Sequence, residues 1–347
     1  MQVVAEISFH KIRQIGVGQG LNSKVYLAHD PQLNCQVAIK EIDKPTFWNP
    51  DYFAEAQAVY ASTHPNVVPV HYGCEKGPSA FVAMPFYGSG SLADLLSHQP
   101  LDLSTALRIG NGILSGLAHI HIARYLHLDL KPSNILLSNA KKPLIADFGQ
   151  ARRISQNGIV SAPPMYSKAL PPEVIQTGKA VVQSDIYQIG LLLYRCVNGE
   201  THFDDQLQNY PDPVQLGKAI CKGKFPDRNN FLPHLPHKMR RIIRKAIAAD
   251  PLKRFPSAAA FLDAWGRLKL NRNWTARIDP LGDCDWTGTA DGKADLRVTL
   301  KSSSTTWTTE VHTTGCCVRA KGRANFWKVS ETRTAAMEHL NSLFEKL

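Results

Sequence analysis

The sequence is short of acid: of its 347 residues, 40 are Lys or Arg and only 29 are Asp or Glu, for a net charge of +11. A basic surface attracts acidic partners, nucleotides among them. Residues 271–347 hold 11 basic and 9 acidic side chains, so the excess sits in the first 270 residues and not in a nucleic-acid-binding tail. Long apolar runs are also missing. No stretch of 18 apolar residues occurs, which speaks against a membrane-spanning helix. The start, MQVVAEISFHKIRQ, lacks a basic region followed by an apolar stretch and so does not read as a secretory leader. Paired cysteine motifs are absent too. Cys35, Cys74, Cys196, Cys221, Cys284, Cys316 and Cys317 form an odd, scattered set without CxxC, as expected of reduced thiols in a cytoplasmic protein. Cys316 and Cys317 beside His312 fit no zinc spacing. Neither repeats nor low-complexity segments appear.

What is present divides by character. Residues 7–41 read as three strands, with Gly16, Gly18 and Gly20 in the first turn, and a helix follows around 51–61. Apolar spacing predicts an amphipathic helix over 103–122. Residues 185–197 (DIYQIGLLLYRCV) are apolar nearly all round, as in a helix buried at the centre of a domain. Further helices are expected at 214–222, 237–249 and 256–268. Strands first and helices afterwards predict an α+β body of two lobes. Beyond 271, Leu296, Val298 and Leu300 alternate with polar residues, as do Trp307, Thr309 and Val311. A third strand near 324–330 and a final helix with Ala336, Leu340, Leu343 and Leu347 on one face complete a small βββα module.

The stretch HLDLKPSNILL (127–137) places Asp129, Lys131 and Asn134 in an apolar run, and ADFG puts Asp147 thirteen residues beyond Asn134. With VGQGLNSKVYLA (17–28), VAIK (37–40), LPPEV and DPLKRF, these motifs make residues 9 to about 268 resemble, in order and spacing, the eukaryotic-like (Hanks-type) serine/threonine protein kinases. The resemblance implies a kinase domain over 1–270, with a β-rich N-lobe to about 86 and a helical C-lobe from about 87 to 270. Residues 271–347 carry no such resemblance.

Site roles follow from the same likeness. Val17, Gly18, Gly20 and Ser23 would close over the ATP phosphates, where glycine lets backbone N–H groups approach without side-chain clash. Ser23 stands where the family usually has a third glycine. Val25, Ala38 and Leu136 would line the adenine, Met84 would be the gatekeeper, and Pro85 and Tyr87 would meet the adenine edge. Lys40 would hold the α/β-phosphates, steadied by Glu55, nine residues before His64. Asp129 would orient the incoming hydroxyl and accept its proton, Lys131 would neutralise the γ-phosphate, and Asn134 and Asp147 would bind magnesium. His127, Phe148, Gly149, Glu173, Asp185 and Arg254 are assigned to architecture, with Arg254 pairing Glu173.

Leu128 replaces the arginine that often precedes the catalytic aspartate and receives an activation-segment phosphate. Activity is therefore expected not to depend on phosphorylation of residues 150–170, although Arg152 and Arg153 offer another phosphate site. No threonine stands at the family's position in SAPPMYSKALPPE, and Ser167 lies one residue away. The expected activity is phosphoryl transfer from ATP to serine or threonine of a protein substrate. Its rivals are a nucleotide-binding scaffold and a small-molecule phosphotransferase. The C-terminal module is open to three roles: binding a protein partner, recruiting substrate or buttressing the kinase. Its +2 charge argues against nucleic acid, and no membrane contact is expected.

Overall fold

The computed structural model describes residues 7–16, 23–43, 57, 63–163, 167–279, 282–313 and 326–347. Val17, Gly18, Gly20, Glu55 and most of the helix expected at 51–61 lie outside the described residues. The first unit is an antiparallel sheet of β1 (His10–Ile15), β2 (Ser23–Asp30), β3 (Cys35–Asp43), β4 (Tyr72–Lys76) and β5 (Ser79–Pro85), in the order β1-β2-β3-β5-β4. Side-chain alternation gives it two different faces. On one, Ala28, Val37, Ile39 and Ala83 are buried against Phe9, Tyr72 and Phe81. On the other, Val25 lies opposite Lys40 and Leu27 opposite Ala38, while Lys40 and Ala38 pair with Val82 and Met84.

The second unit is helical. It begins with α1 (Leu92–Leu96) and α2 (Leu103–Ile122), the latter capped by the Asp102 side chain, which accepts from Thr105 N. Short strand pairs follow: β6 (Tyr125–Leu126) with β9 (Arg152–Arg153), β7 (Ile135–Leu137) with β8 (Pro143–Ile145), and β10 (Val160–Ser161) with β11 (Lys179–Ala180). The remaining helices are α3 (Pro172–Thr177), α4 (Val182–Asn198), α5 (Glu200–Leu207), α6 (Pro213–Cys221), α7 (His237–Ala246) and α8 (Ala258–Gly266). As its sequence predicts, α4 is buried along nearly its whole length. Its polar groups are therefore obliged to find partners. Asn198 does so within the core, donating to Tyr194 O (3.1 Å) and accepting from Leu232 N (2.9 Å).

The third unit is a meander of β12 (Asn273–Ile278), β13 (Cys284–Thr289), β14 (Leu296–Ser302), β15 (Trp307–Thr313) and β16 (Lys328–Ser330), followed by α9 (Arg333–Phe344). The sheet and final helix match the alternation in the sequence, but the described residues form five strands, not three. β12 and β13 escape notice because their inward positions include Ala276 and Gly288, which carry little apolar signal. Gly288 has to be small: a Cβ there would lie 2.6 Å from the Trp274 ring.

This sheet does not have a core of its own. Trp274, Trp286, Val298, Val311, Leu340 and Leu343 belong to the same buried cluster as α2, α4 and α7. Polar bonds register the contact. Asn273 Oδ1 accepts from Ser104 N at the start of α2 (2.9 Å), and Gln99 pairs with both backbone groups of Ile278 (3.1 and 2.9 Å). Trp286 Nε1 donates to His234 Nδ1 (3.0 Å), and Arg240 donates to Asn341 (3.1 Å).

His234 Nε2 is buried without a hydrogen-bond partner. Burial, aided by the Arg240 charge, holds this imidazole at about 3, below its ordinary 6.5. The unfolded chain takes up the proton near pH 6.5 and the folded one does not, so stability is fully present above that pH and is lost as pH falls toward 3. Between pH 6.5 and 5 the wild type should lose about 2 kcal/mol more than His234→Gln, which keeps an acceptor for Trp286. Urea denaturation at the two pH values checks this; equal losses would contradict it.

Candidate active site

The segment 127–134 owes its shape to two polar residues of the buried helix α4. Asp185 accepts from His127 N (2.9 Å), Leu128 N (2.8 Å) and His121 Nε2 (2.8 Å). Gln188, one helical turn on, accepts from Leu130 N (3.1 Å) and donates to Leu128 O (3.1 Å). These bonds hold Leu128 at φ 63°, a left-handed conformation that costs a β-carbon residue of order 1 kcal/mol or more. Asp129 follows this turn directly and is itself almost buried. His127 sits beneath it, with Nδ1 accepting from Asp129 N (3.3 Å), Nε2 on Ala146 O (3.1 Å) and its ring edge-on to buried Phe148. This pattern fits the Nε2–H tautomer.

Asp129, Lys131 and Asn134 then converge. Lys131 Nζ and Asn134 Nδ2 each lie 2.8 Å from Asp129 Oδ2, and Asn134 Nδ2 also donates to Asp129 O (2.8 Å). Both donors use the same carboxylate oxygen; among the described residues none donates to Oδ1. Because the Asn134 amide nitrogen is committed to Asp129, its carbonyl oxygen is turned away from it.

Across the cleft, Lys40 Nζ lies 2.8 Å from Asp147 Oδ1. Asp147 itself is left-handed (φ 60°), and Gly149 N approaches the same oxygen at 3.4 Å. Burial pushes the Asp147 carboxyl up, but the Lys40 charge and hydrogen bond outweigh it, and the net direction is below the ordinary carboxylate range. The Lys40–Glu55 pair expected from sequence lies outside the described residues.

The apolar candidates gather nearby. Met84, Tyr87 and Leu136 pack on one small buried cluster of Val68, Leu144 and Ala146, and Ala38 pairs with Met84 across the sheet. Val25 and Ser23 lie on β2, and Pro85 ends β5. Val68, Leu144, Gln188 and His121 belong to this site and were not singled out from sequence. Gln188 carried a signal, a second polar residue in the apolar run DIYQIGLLL, one turn after Asp185.

Glu173 and Arg254 meet as assigned, in a bidentate pair at 2.9 and 2.8 Å. The remaining guanidinium donors reach Ala248 O, Gln183 O and Ala249 O, so all five are used. Ser184 Oγ also donates to Glu173 (2.6 Å). Removing one partner of such a pair strands the other, and Arg254→Met should cost about 3–5 kcal/mol in urea denaturation. A loss below about 1 kcal/mol would contradict that role.

A protein kinase domain model matches residues 9–265 of the chain. Serine/threonine-protein kinase PrkC of Bacillus subtilis is 30% identical over 250 residues, 70% of this chain and 38% of that protein. Probable serine/threonine-protein kinase PknB of Lactococcus lactis is 28% identical over 247 residues, covering 69% of this chain and 39% of its own length. Serine/threonine-protein kinase PknD of Chlamydia muridarum is 27% identical over 313 residues, 75% of this chain and 32% of that protein. The chain thus spans about two fifths or less of the length of these curated relatives. No helix among the described residues is long and apolar enough to cross a membrane. With the family model covering most of its length, the chain belongs to the protein kinase domain family, among the Hanks-type serine/threonine kinases.

Proposed function

We propose that the chain transfers the γ-phosphoryl group of ATP to a serine or threonine hydroxyl of a protein. The observation that carries this reading is the convergence of Asp129, Lys131 and Asn134 opposite the Lys40–Asp147 pair. Lys131 and Asn134 fix one oxygen of Asp129 and leave the other for an incoming hydroxyl, whose proton it accepts. Lys40 and Lys131 supply positive charge to the phosphates. Val25, Ala38, Met84, Tyr87 and Leu136 enclose the adenine and Pro85 offers its carbonyl; Gly18 and Gly20, which lie outside the described residues, are assigned to the phosphates from the sequence motif alone. Catalysis of this kind is mainly positioning and electrostatics.

The donor set suits magnesium, since Asn134 offers an amide oxygen and Asp147 a carboxylate, both hard ligands. Bound there, the ion would neutralise charge on the phosphate oxygens.

Leu128 supports independence from activation-segment phosphorylation. It is fully buried with Leu126, Ile154, Val160, Val174 and Ala180, so apolar contact joins the catalytic loop to the segment where other kinases use an arginine and a phosphate. Arg152 and Arg153 are exposed on β9. The C-terminal sheet acts as a buttress, a reading favoured by the core it shares with the helical body.

Two experiments test this. With labelled ATP and magnesium, the full chain should phosphorylate itself or a generic protein substrate, and Asp129→Asn should lower the rate by about 100-fold or more. Equal label transfer by the two, or none by either, would contradict the reading. A variant with Ser155→Ala, Ser161→Ala, Tyr166→Phe and Ser167→Ala together should keep at least about half of the wild-type rate, because no phosphate contact is lost. A drop of tenfold would overturn the Leu128 argument.

A further inference from the structure

The charge excess is concentrated in one place. Residues 222–254 hold ten Lys and Arg against two Asp, a net +8 out of the chain's +11. On α7, sequence HKMRRIIRKA, a turn of 100° per residue sets Arg244, His237, Arg241, Lys245 and Lys238 within an arc of about 120°. Met239, Ile243 and Ala246 are buried on the opposite side. Among the described residues, none of Lys224, Arg228, Lys238, Arg241, Arg244 or Lys245 takes part in an ion pair. Like charges spaced three and four apart on a helix are mutually destabilising, and Arg244 and Lys245 contact neutral groups, the Phe231 and Phe255 rings and the Arg228 carbonyl.

A cavity of about 480 Å³ adjoins this face, lined by Gln206, Asn209, Tyr210, Lys224, Phe225 and Asn230 among others. Arg228 joins the two features. Its carbonyl accepts from Arg244 Nε on α7 (2.7 Å), and its guanidinium lies against Gly223 in the cavity wall. The wall is held from behind. Gln206 donates to Tyr194 Oη (2.8 Å) and accepts from Asp227 N (2.7 Å), and Tyr194 Oη donates to Asn230 O (2.6 Å). The Tyr210 and Phe225 rings pack edge to face, and Asp227 is the one acid in the lining.

We propose that the α7 face and this cavity form a docking site for an acidic peptide segment of a partner protein. The basic face takes the carboxylates; Arg in particular pairs with them bidentately. The cavity takes a neighbouring side chain and hydrogen-bonds the peptide through Asn209 and Asn230. A flat bilayer or a nucleic-acid duplex matches the charge but cannot enter the cavity. The strongly exposed large apolar side chains between residues 205 and 254 are the single residues Val214 and Leu252, too little to anchor a membrane. The site is separate from the phosphoryl-transfer residues, and binding is read without nucleotide, so the proposal stands or falls independently of catalysis.

Fluorescence anisotropy on the full chain tests it, with a fluorescein-labelled glutamate-rich peptide and a lysine-rich control, and with phosphatidylserine vesicles and duplex DNA as competitors. The glutamate peptide should bind, weaken as salt rises, and lose about tenfold or more in affinity in the K238E/R241E/K245E variant. The milder K238Q/R241Q/K245Q set should give a smaller loss in the same direction. Asn230→Trp, which fills the cavity, should weaken the peptide without changing the competitors' own binding. Any of three results would overturn the proposal: no preference for the glutamate peptide, affinity unchanged in both charge variants, or vesicles or duplex binding more tightly than the peptide.

Discussion

The carboxylate of Asp185 is the group on which the site depends. It is fully buried in α4, where an unpaired charge would be prohibitive, and it is kept there by two backbone N–H donors and the His121 ring. Those bonds in turn hold Leu128 in a conformation a leucine would not choose. The turn they enforce keeps His127 and Leu128 fully buried and leaves Asp129 only slightly exposed. Local strain is stored next to Asp129 and is compensated from the core behind it.

The same helix ties distant parts together. Gln188 joins the segment 127–134 to Ala169, and Ser184 reaches Glu173, whose partner Arg254 lies beyond α7. Leu128 adds an apolar latch to the segment after Asp147. Trp286 and Trp274 extend the same core into the C-terminal sheet, so a disturbance there bears on the helices that carry the loop. Polar bonds fix direction in this arrangement, and apolar contact supplies most of the stabilisation.

Much of this was legible in the sequence. Three polar residues in HLDLKPSN, a DFG at the right interval and an apolar helix opening on Asp185 pointed to the loop, the cleft and the core. The buried α4 and amphipathic α2 follow directly from periodicity. His121 was not legible, because a histidine on an amphipathic helix gives no sign of what lies across from it. β12 and β13 were missed because packing against Trp274 demands a glycine where a strand pattern would show an apolar side chain. The basic arc of α7 was visible only as net charge until the helix gathered it on one side.

Asp185 acts on the site by holding backbone, through His127 N and Leu128 N. Asp185→Asn is the direct probe, because its amide sets a donor against an N–H that needs an acceptor. Magnesium-ATP affinity and single-turnover phosphoryl transfer should be measured together on this variant, with its melting curve. With that role, nucleotide affinity should stay within about threefold of wild type and transfer should slow by about 100-fold or more, since misplacing a reacting group by an ångström costs that much. Transfer at close to the wild-type rate in a folded variant would contradict it.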